Sequence, residues 1–376
     1  MLSFILALLV FVLTVFIVAG VHELGHFCLA RLFKIKVLKF SIGFGKRLWR
    51  VFDKRGTEYR LSLIPIGGYV KLLDSREGTV PADELPNAFD QRPIYQRLCV
   101  LAAGPVFNFL LAILAFWIIF IHGVVYIKPI VGVVIPNSLA ATAGVKPQDQ
   151  ITAIDEHVTP SWSSVAMALL RHYGDEGVLT FTVRSASNQQ RTDYAVNISP
   201  AKWHLDDLRP DLLTSVGIQP YIPVDLKKDK KGKVIWPANL LEHSHDTVSS
   251  ALNKAVYNTS YFISFNGIVL YKMLVGKISW RGLSGPVGIF QAAFGAAQHG
   301  AIIYLNFLAL ISISIGLLNL LPIPGLDGAQ IVYLLYEFTR GKPMSVAAQL
   351  LAFRLGVILL IIVMLQALIN DLLRLR

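Results

Sequence analysis

Charge is scarce in this sequence. Of 376 residues, 16% are Asp, Glu, Lys or Arg against 54% hydrophobic, and the mean hydropathy is +0.55. Soluble domains carry roughly a quarter charged residues, so an assembly of soluble domains is excluded. Cysteine is scarcer still. Cys28 and Cys99 stand alone with no CxxC spacing, which rules out a disulfide framework or a zinc ribbon. Each lies in or beside an apolar run and reads as a small buried apolar side chain. Acidic residues number 24 against 35 Lys and Arg, a net charge of +11. No DNA-reading motif accompanies that excess, and its distribution points to a bilayer rather than to nucleic acid.

What is abundant is apolar sequence in long runs. Residues 4–21 carry no charge and one hydroxyl, Thr14, enough to cross a hydrocarbon core of about 30 Å. Without a basic leader or a small-residue cleavage site, the run is expected to stay as a transmembrane helix. Further runs cover 98–127, about 301–321 and about 347–370, and no charged residue falls between Arg281 and Asp327. Ten Lys and Arg lie between residues 31 and 60, against Asp53 and Glu58. Short basic loops stay cytoplasmic. The first helix therefore runs inward and the second outward, the polar block 123–300 is external, and the third helix ends on the cytoplasmic side.

The polar block reads as a small mixed domain. Strands are expected at 130–135, 151–155 and 178–184, a short helix at 140–144, and an amphipathic helix at 162–172. Residues 200–223 are turn-rich and 227–233 form a charged linker. Residues 246–274 are helical, with apolar positions suited to a bilayer surface or to bracing the third helix. His243 and His245 fall outside the membrane and read as surface residues. Residues 60–72 (RLSLIPIGGYVKL) are too short to span and too broken for a helix. Backbone of that kind is tolerated at membrane depth only where protein or water satisfies it, so a re-entrant β-hairpin is expected.

His22-Glu23-Leu24-Gly25-His26 follows the first span directly. Histidines at i and i+4 share one helix face, so both imidazoles reach one metal. Glu23, about 100° around the helix, contacts a water instead. This is the mechanical content of HExxH, two zinc ligands and a general base. Ionisable groups at membrane depth cost about 2.5–3.5 kcal/mol on insertion scales, a cost a sequence without functional need avoids. A catalytic zinc takes three protein ligands. Asp327, at the cytoplasmic end of the third run beyond helix-breaking Pro322 and Pro324, lies at the same depth and is the candidate third ligand. Asn319 has two readings, a donor to substrate or a helix-packing residue.

The chain resembles the bacterial site-2 protease family and, within it, the RseP-type enzymes. HELGH at 22–26 and LDG at 326–328 look like the family's zinc motifs, and SIGFG at 41–45 with 56–72 like its re-entrant β segment. AGPVFNF at 103–109 resembles its second-helix signature, and SGPVGI at 284–289 the motif before its third helix. The resemblance implies His22, His26 and Asp327 as ligands of one Zn2+ per chain, Glu23 as catalytic base and Asn319 as substrate-positioning. It implies that 60–72, with Ile64, Gly67, Gly68 and Tyr69, pairs with an unwound substrate strand. Residues 131–162 resemble a circularly permuted PDZ domain, and Leu213–Ile218, with Ser215, Val216, Gly217 and Ile218, looks like its carboxylate loop for a C-terminal peptide. The better-known RseP-type enzymes carry two such domains, and this chain has room for one. Gln148 also replaces the usual glycine of a Gly-Asp turn.

The expected architecture is a polytopic α-helical membrane protein with four transmembrane helices, a re-entrant β-hairpin and one external mixed α/β PDZ-like domain. Residues 1–122 hold helices one and two with the β segment (about 38–72), and 123–226 the periplasmic PDZ-like domain. Residues 227–300 form a linker and membrane-associated helical region, and 301–376 hold helices three and four. The expected activity is zinc-dependent intramembrane proteolysis of single-span proteins, such as an anti-sigma factor after a first external cut, or remnant signal peptides, in the bacterial inner membrane. A membrane zinc transporter and a non-catalytic PDZ scaffold are the competing readings.

Overall fold

Helix α1 (Leu2–Leu32) runs unbroken through the first apolar stretch and on past both histidines. In lipid the backbone has no partner but itself, so a continuous helix is the stable solution. This comes from a computed structural model that describes residues 2–185, 190–205, 211–228 and 234–374. Strands β1 (Val37–Phe52) and β2 (Glu58–Leu72) pair antiparallel, but not as a simple hairpin. Phe40 lies opposite both Val70 and Tyr59, and Ser41 opposite both Tyr69 and Arg60. The hairpin has folded back on itself into four ribbons, with 68–72 on one edge and 47–52 on the other. Gly67, at φ +83, makes a bend that L residues rarely adopt. The sheet lies along α1: Phe27 packs on Phe40 and Tyr59 at ring separations of 5.3 and 5.8 Å. The expected β segment is therefore present and larger than a hairpin. Helix α2 (Ile94–His122) follows.

The polar stretch then forms β3 (Val124–Ile127), β4 (Val131–Val134), α3 (Leu139–Ala143), β5 (Gln150–Ile154), β6 (His157–Val158) and α4 (Trp162–His172). After these come β7 (Gly177–Arg184), β8 (Arg191–Ile198), α5 (Leu212–Val216), β9 (Ile218–Pro220), β10 (Lys227–Lys228), β11 (Val234–Ile235) and β12 (Leu241–Ser244). One sheet has the order β6-β5-β7-β8, and β4 pairs with β9. Ile151, Leu169, Phe181, Val196, Trp203 and Ile218 are buried together in its core. Ser161 caps α4 through a reciprocal pair with Ser164, satisfying first-turn amides. Gln148 sits at φ +69, the left-handed region a glycine would occupy without strain. Of the charged linker expected at 227–233, Lys227 and Lys228 form a strand paired with Ile235 and Val234, and 229–233 lie outside the described residues.

The chain ends with α6 (Val248–Leu274), α7 (Pro286–Gln298), α8 (Ala301–Asn319), α9 (Asp327–Arg340) and α10 (Val346–Arg374). Helices α1 (from Ser3), α2, α8 and α10 are long and apolar enough to cross a membrane, as the runs implied. Two compact units result: Met1–Ile119 with Val248–Ile263 and Leu283–Arg376, and Phe120–Thr247 with Ser264–Gly282. In the second, Lys272 is nearly fully buried, and its Nζ donates to the Arg171 and Tyr173 carbonyls at 2.6 and 2.9 Å. Those are end-of-helix acceptors that α4 cannot satisfy itself. In the first, the Asp371 carboxylate of α10 accepts from the Gly285 and Gly288 amides, both at 2.9 Å. It caps α7 with a charge of favourable sign and gives the SGPVGI segment a physical role.

The cysteines depart from expectation. Cys28 is only partly buried and Cys99 is exposed. In a membrane-spanning helix an outward face meets hydrocarbon, so a small apolar thiol need not be buried in protein to be dry.

Candidate metal centre

α1 carries His22 and His26 one turn apart, with their Nε2 atoms 3.2 Å from each other. Asp327 opens α9, and its Oδ2 lies 3.0 Å from His22 Nε2 and 3.3 Å from His26 Nε2. Both histidines are buried. Three ligand atoms thus converge from two helices at one point, within 4.8 Å of one another. Asp327 is delivered by the sequence around it. Pro322 and Pro324 end α8, and α9 restarts at once with the carboxylate in its first turn. Gly328 sits so close to the Leu320 and Leu321 carbonyls that a Cβ would collide with them, which lets α9 fold back against the end of α8.

The donor set fits a metal. His26 Nδ1 lies 2.8 Å from the Val100 carbonyl; an oxygen there requires N–H at Nδ1, which leaves Nε2 a bare lone pair in a neutral ring. Asp327 Oδ2 is buried and receives no hydrogen bond among the described residues. Lone pairs aimed at lone pairs between two buried rings and a half-buried carboxylate are unfavourable until a cation sits between them. Two imidazoles and one carboxylate are the ligand set of a catalytic zinc with one open position.

Two residues close around the pair. A Cβ on Gly104 of α2 would lie 2.6 and 2.7 Å from His22 Cε1 and Nε2, and nearer still to His26 Nε2. Only glycine leaves room for both rings. On the other side, a Cβ on Gly68 would stand 2.9 Å from Glu23 Cγ, and the Val70 backbone N–H faces the Glu23 carboxylate. The Glu23 side chain is therefore held between α1 and the 68–72 edge of the sheet. A cavity of about 380 Å³ lined by Leu326, Gln330, Tyr333, Gln349, Leu350 and Phe353 adjoins Asp327.

Arg97 of α2, 4% exposed, makes a two-pronged ion pair with Glu337 of α9, fixing the helix that carries Asp327. Glu337→Ala strands a buried guanidinium, and breaking such a pair costs about 3 kcal/mol. The expected result is a lower thermal midpoint and weaker zinc retention, with recovery of the midpoint in the Arg97→Met/Glu337→Leu double variant. An unchanged midpoint in the single variant shows that the pair does not hold α9.

Of the residues expected from sequence, His22, His26, Asp327 and Glu23 meet, and Gly68 joins them. Tyr69 stacks on Phe44 at 5.9 Å. Ile64 lies exposed within β2, opposite Phe44. Asn319 is the half-buried last residue of α8. Ser215 and Val216 end the short helix α5, Gly217 caps it at φ +90 with its N–H bonded to the Thr214 carbonyl, and Ile218 begins β9. Sequence reading gave no site role to Val100, Gly104 and Asn108. Their i, i+4, i+8 spacing in the second span was the available signal, a helix stripe with a buried amide.

Comparison with known proteins places this geometry in context. The profile of peptidase family M50 matches residues 10–363. The regulator of sigma-E protease RseP of Escherichia coli strain K12 is 34% identical over 453 aligned positions, covering 100% of both chains. The regulator of sigma E protease of Haemophilus influenzae is 33% identical over 447 positions, covering 99% of this chain and 100% of that protein. Those alignments are longer than the 376 residues here, so the relatives carry segments that this chain lacks.

Proposed function

This chain belongs to peptidase family M50 and is an RseP-type intramembrane zinc metalloprotease, and we propose that it cuts single-span membrane proteins within or beside their spans. The observation that carries this substrate class is the Glu23 carboxylate, set between a His-His-Asp cluster whose histidines are buried and a β-sheet edge with no further strand on it among the described residues. When bound, zinc supplies Lewis-acid polarisation and acidifies water. Glu23 then takes a proton from the attacking water and returns it to the leaving amide nitrogen. A transmembrane helix hides its carbonyls in i→i−4 bonds, so the substrate must be extended first. The 68–72 edge, from Gly68 and Tyr69 onward, offers backbone groups for strand addition. Gly67 and Ile64 shape the bend leading to it, and Asn319 positions the substrate from the end of α8.

The membrane is the bacterial inner membrane, with the zinc cluster near the cytoplasmic face and the polar unit periplasmic. Basic residues at 31–60 support that orientation. The polar unit, nominally 123–226, acts as a single PDZ-like module that takes a C-terminal peptide beside Ser215–Ile218; among the described residues β9 pairs with β4 alone, which supports this. Its substrates are single-span regulators such as an anti-sigma factor already trimmed outside, in a response to envelope stress. The names of the relatives support that reading. Purified protein in liposomes with a single-span substrate, intact or externally trimmed, tests it by product mass. A cut within the span, faster after trimming, is expected. A cut confined to the soluble part overturns the proposal.

A further inference from the structure

We propose that Asn108 is a positioning residue for the metal centre, and that its side-chain oxygen accepts a hydrogen bond from His22 Nδ1 to hold the ring with Nε2 bare. The inference rests on the zinc reading of the cluster and adds to it the device that fixes the second imidazole. Asn108 is fully buried in the middle of α2. Its amide lies against His22, Nδ2 being 3.3 Å from Nδ1, and its Oδ1 is buried with no hydrogen-bond partner among the described residues. The two ends of a carboxamide have nearly the same shape, so hydrogen bonding decides which end faces which neighbour.

An NH2 facing Nδ1 would require a bare Nδ1 and place the ring proton on Nε2. That proton would point at Asp327 Oδ2 and His26 Nε2, where the cluster needs a lone pair. A half-turn of the amide gives the orphaned oxygen its donor and His22 the other tautomer. The arrangement then matches that of His26, whose Nδ1 donates to the Val100 carbonyl. One stripe of α2 thereby supplies an acceptor for each ring, Val100 for His26 and Asn108 for His22, with Gly104 clearing the space between them. Asn108 cannot retreat, because Ser312 of α8 donates to its backbone carbonyl at 2.8 Å. Gly316, one turn further along the same face of α8, packs so close that its Cβ would lie 3.2 Å from Asn108 Cβ, which holds the same turn. Acceptors of this kind set the tautomer and basicity of a metal-bound imidazole.

Zinc affinity by chelator competition tests this, with the visible spectrum of the cobalt-substituted protein as a second readout. Asn108→Leu removes the acceptor, and affinity is expected to fall by about 10–100-fold with a changed cobalt spectrum. Asn108→Asp can still accept from Nδ1–H, so affinity at or above that of the parent and a parental spectrum are expected. An Asp variant as weak as the Leu variant shows that the amide nitrogen faced His22 and overturns the proposal. So does a Leu variant that binds like the parent. If the Leu variant fails to fold, the Asp variant decides alone. Zinc content of the unmodified protein reports separately on the reading from which the proposal starts.

Discussion

Glu23→Gln is expected to keep its zinc and lose cleavage by about 10²–10⁴-fold, the usual contribution of a positioned general base. The carboxylate is not among the three converging ligand atoms, so removing its charge leaves the cluster intact. The amide fits the same space between α1 and Gly68 and accepts from Val70 as the carboxylate would. What it cannot do is take a proton from water. Turnover and zinc content measured on the same preparation therefore separate. Cleavage at the parental rate by Glu23→Gln would falsify the assignment of the base.

Gly104→Val is expected to abolish both zinc retention and cleavage. A Cβ alone would press on His22 at 2.6 Å and on His26 more closely, and valine adds two methyl groups beyond it. Neither ring can turn away without leaving the point where Asp327 meets them. For the milder Gly104→Ala, a shift of the order of 1 Å in a catalytic group costs about 10²-fold in rate. The opposite pattern, full zinc with Gly104→Val, requires the histidines to sit elsewhere than the structure places them. Zinc analysis of detergent-purified protein distinguishes the two outcomes.

These effects differ in how legible they were in the sequence. HELGH is local: two histidines at helical spacing after an uncharged span define their own geometry. Asp327 was reachable because loop charge set its depth, independently of any pairing. Gly104 was visible only as part of a helix signature. Its task depends on how close α2 comes to α1, and one chain segment does not encode that. The 37–72 sheet shows the same limit. The period-2 pattern marks strands, but that Phe40 pairs with both Tyr59 and Val70 follows from a fold-back over many residues. Helix α9 was masked by the two prolines before it, which announce an ending and not the restart that follows. The strand at Lys227 and Lys228 was hidden because two lysines carry no alternation that would announce their pairing with Ile235 and Val234. Cys99 misled for a different reason, since burial inferred from water does not apply to a face that meets lipid.

The central claim is that α1 and α9 together hold one zinc ion, and zinc per chain in Asp327→Ala tests it most directly. Elemental analysis of the unmodified protein is expected to give one zinc per chain. Asp327→Ala, left with two imidazoles, is expected to lose most of it during purification while keeping its helical content. Full zinc in that variant would contradict the account, because the metal would then be held without the carboxylate that α9 delivers.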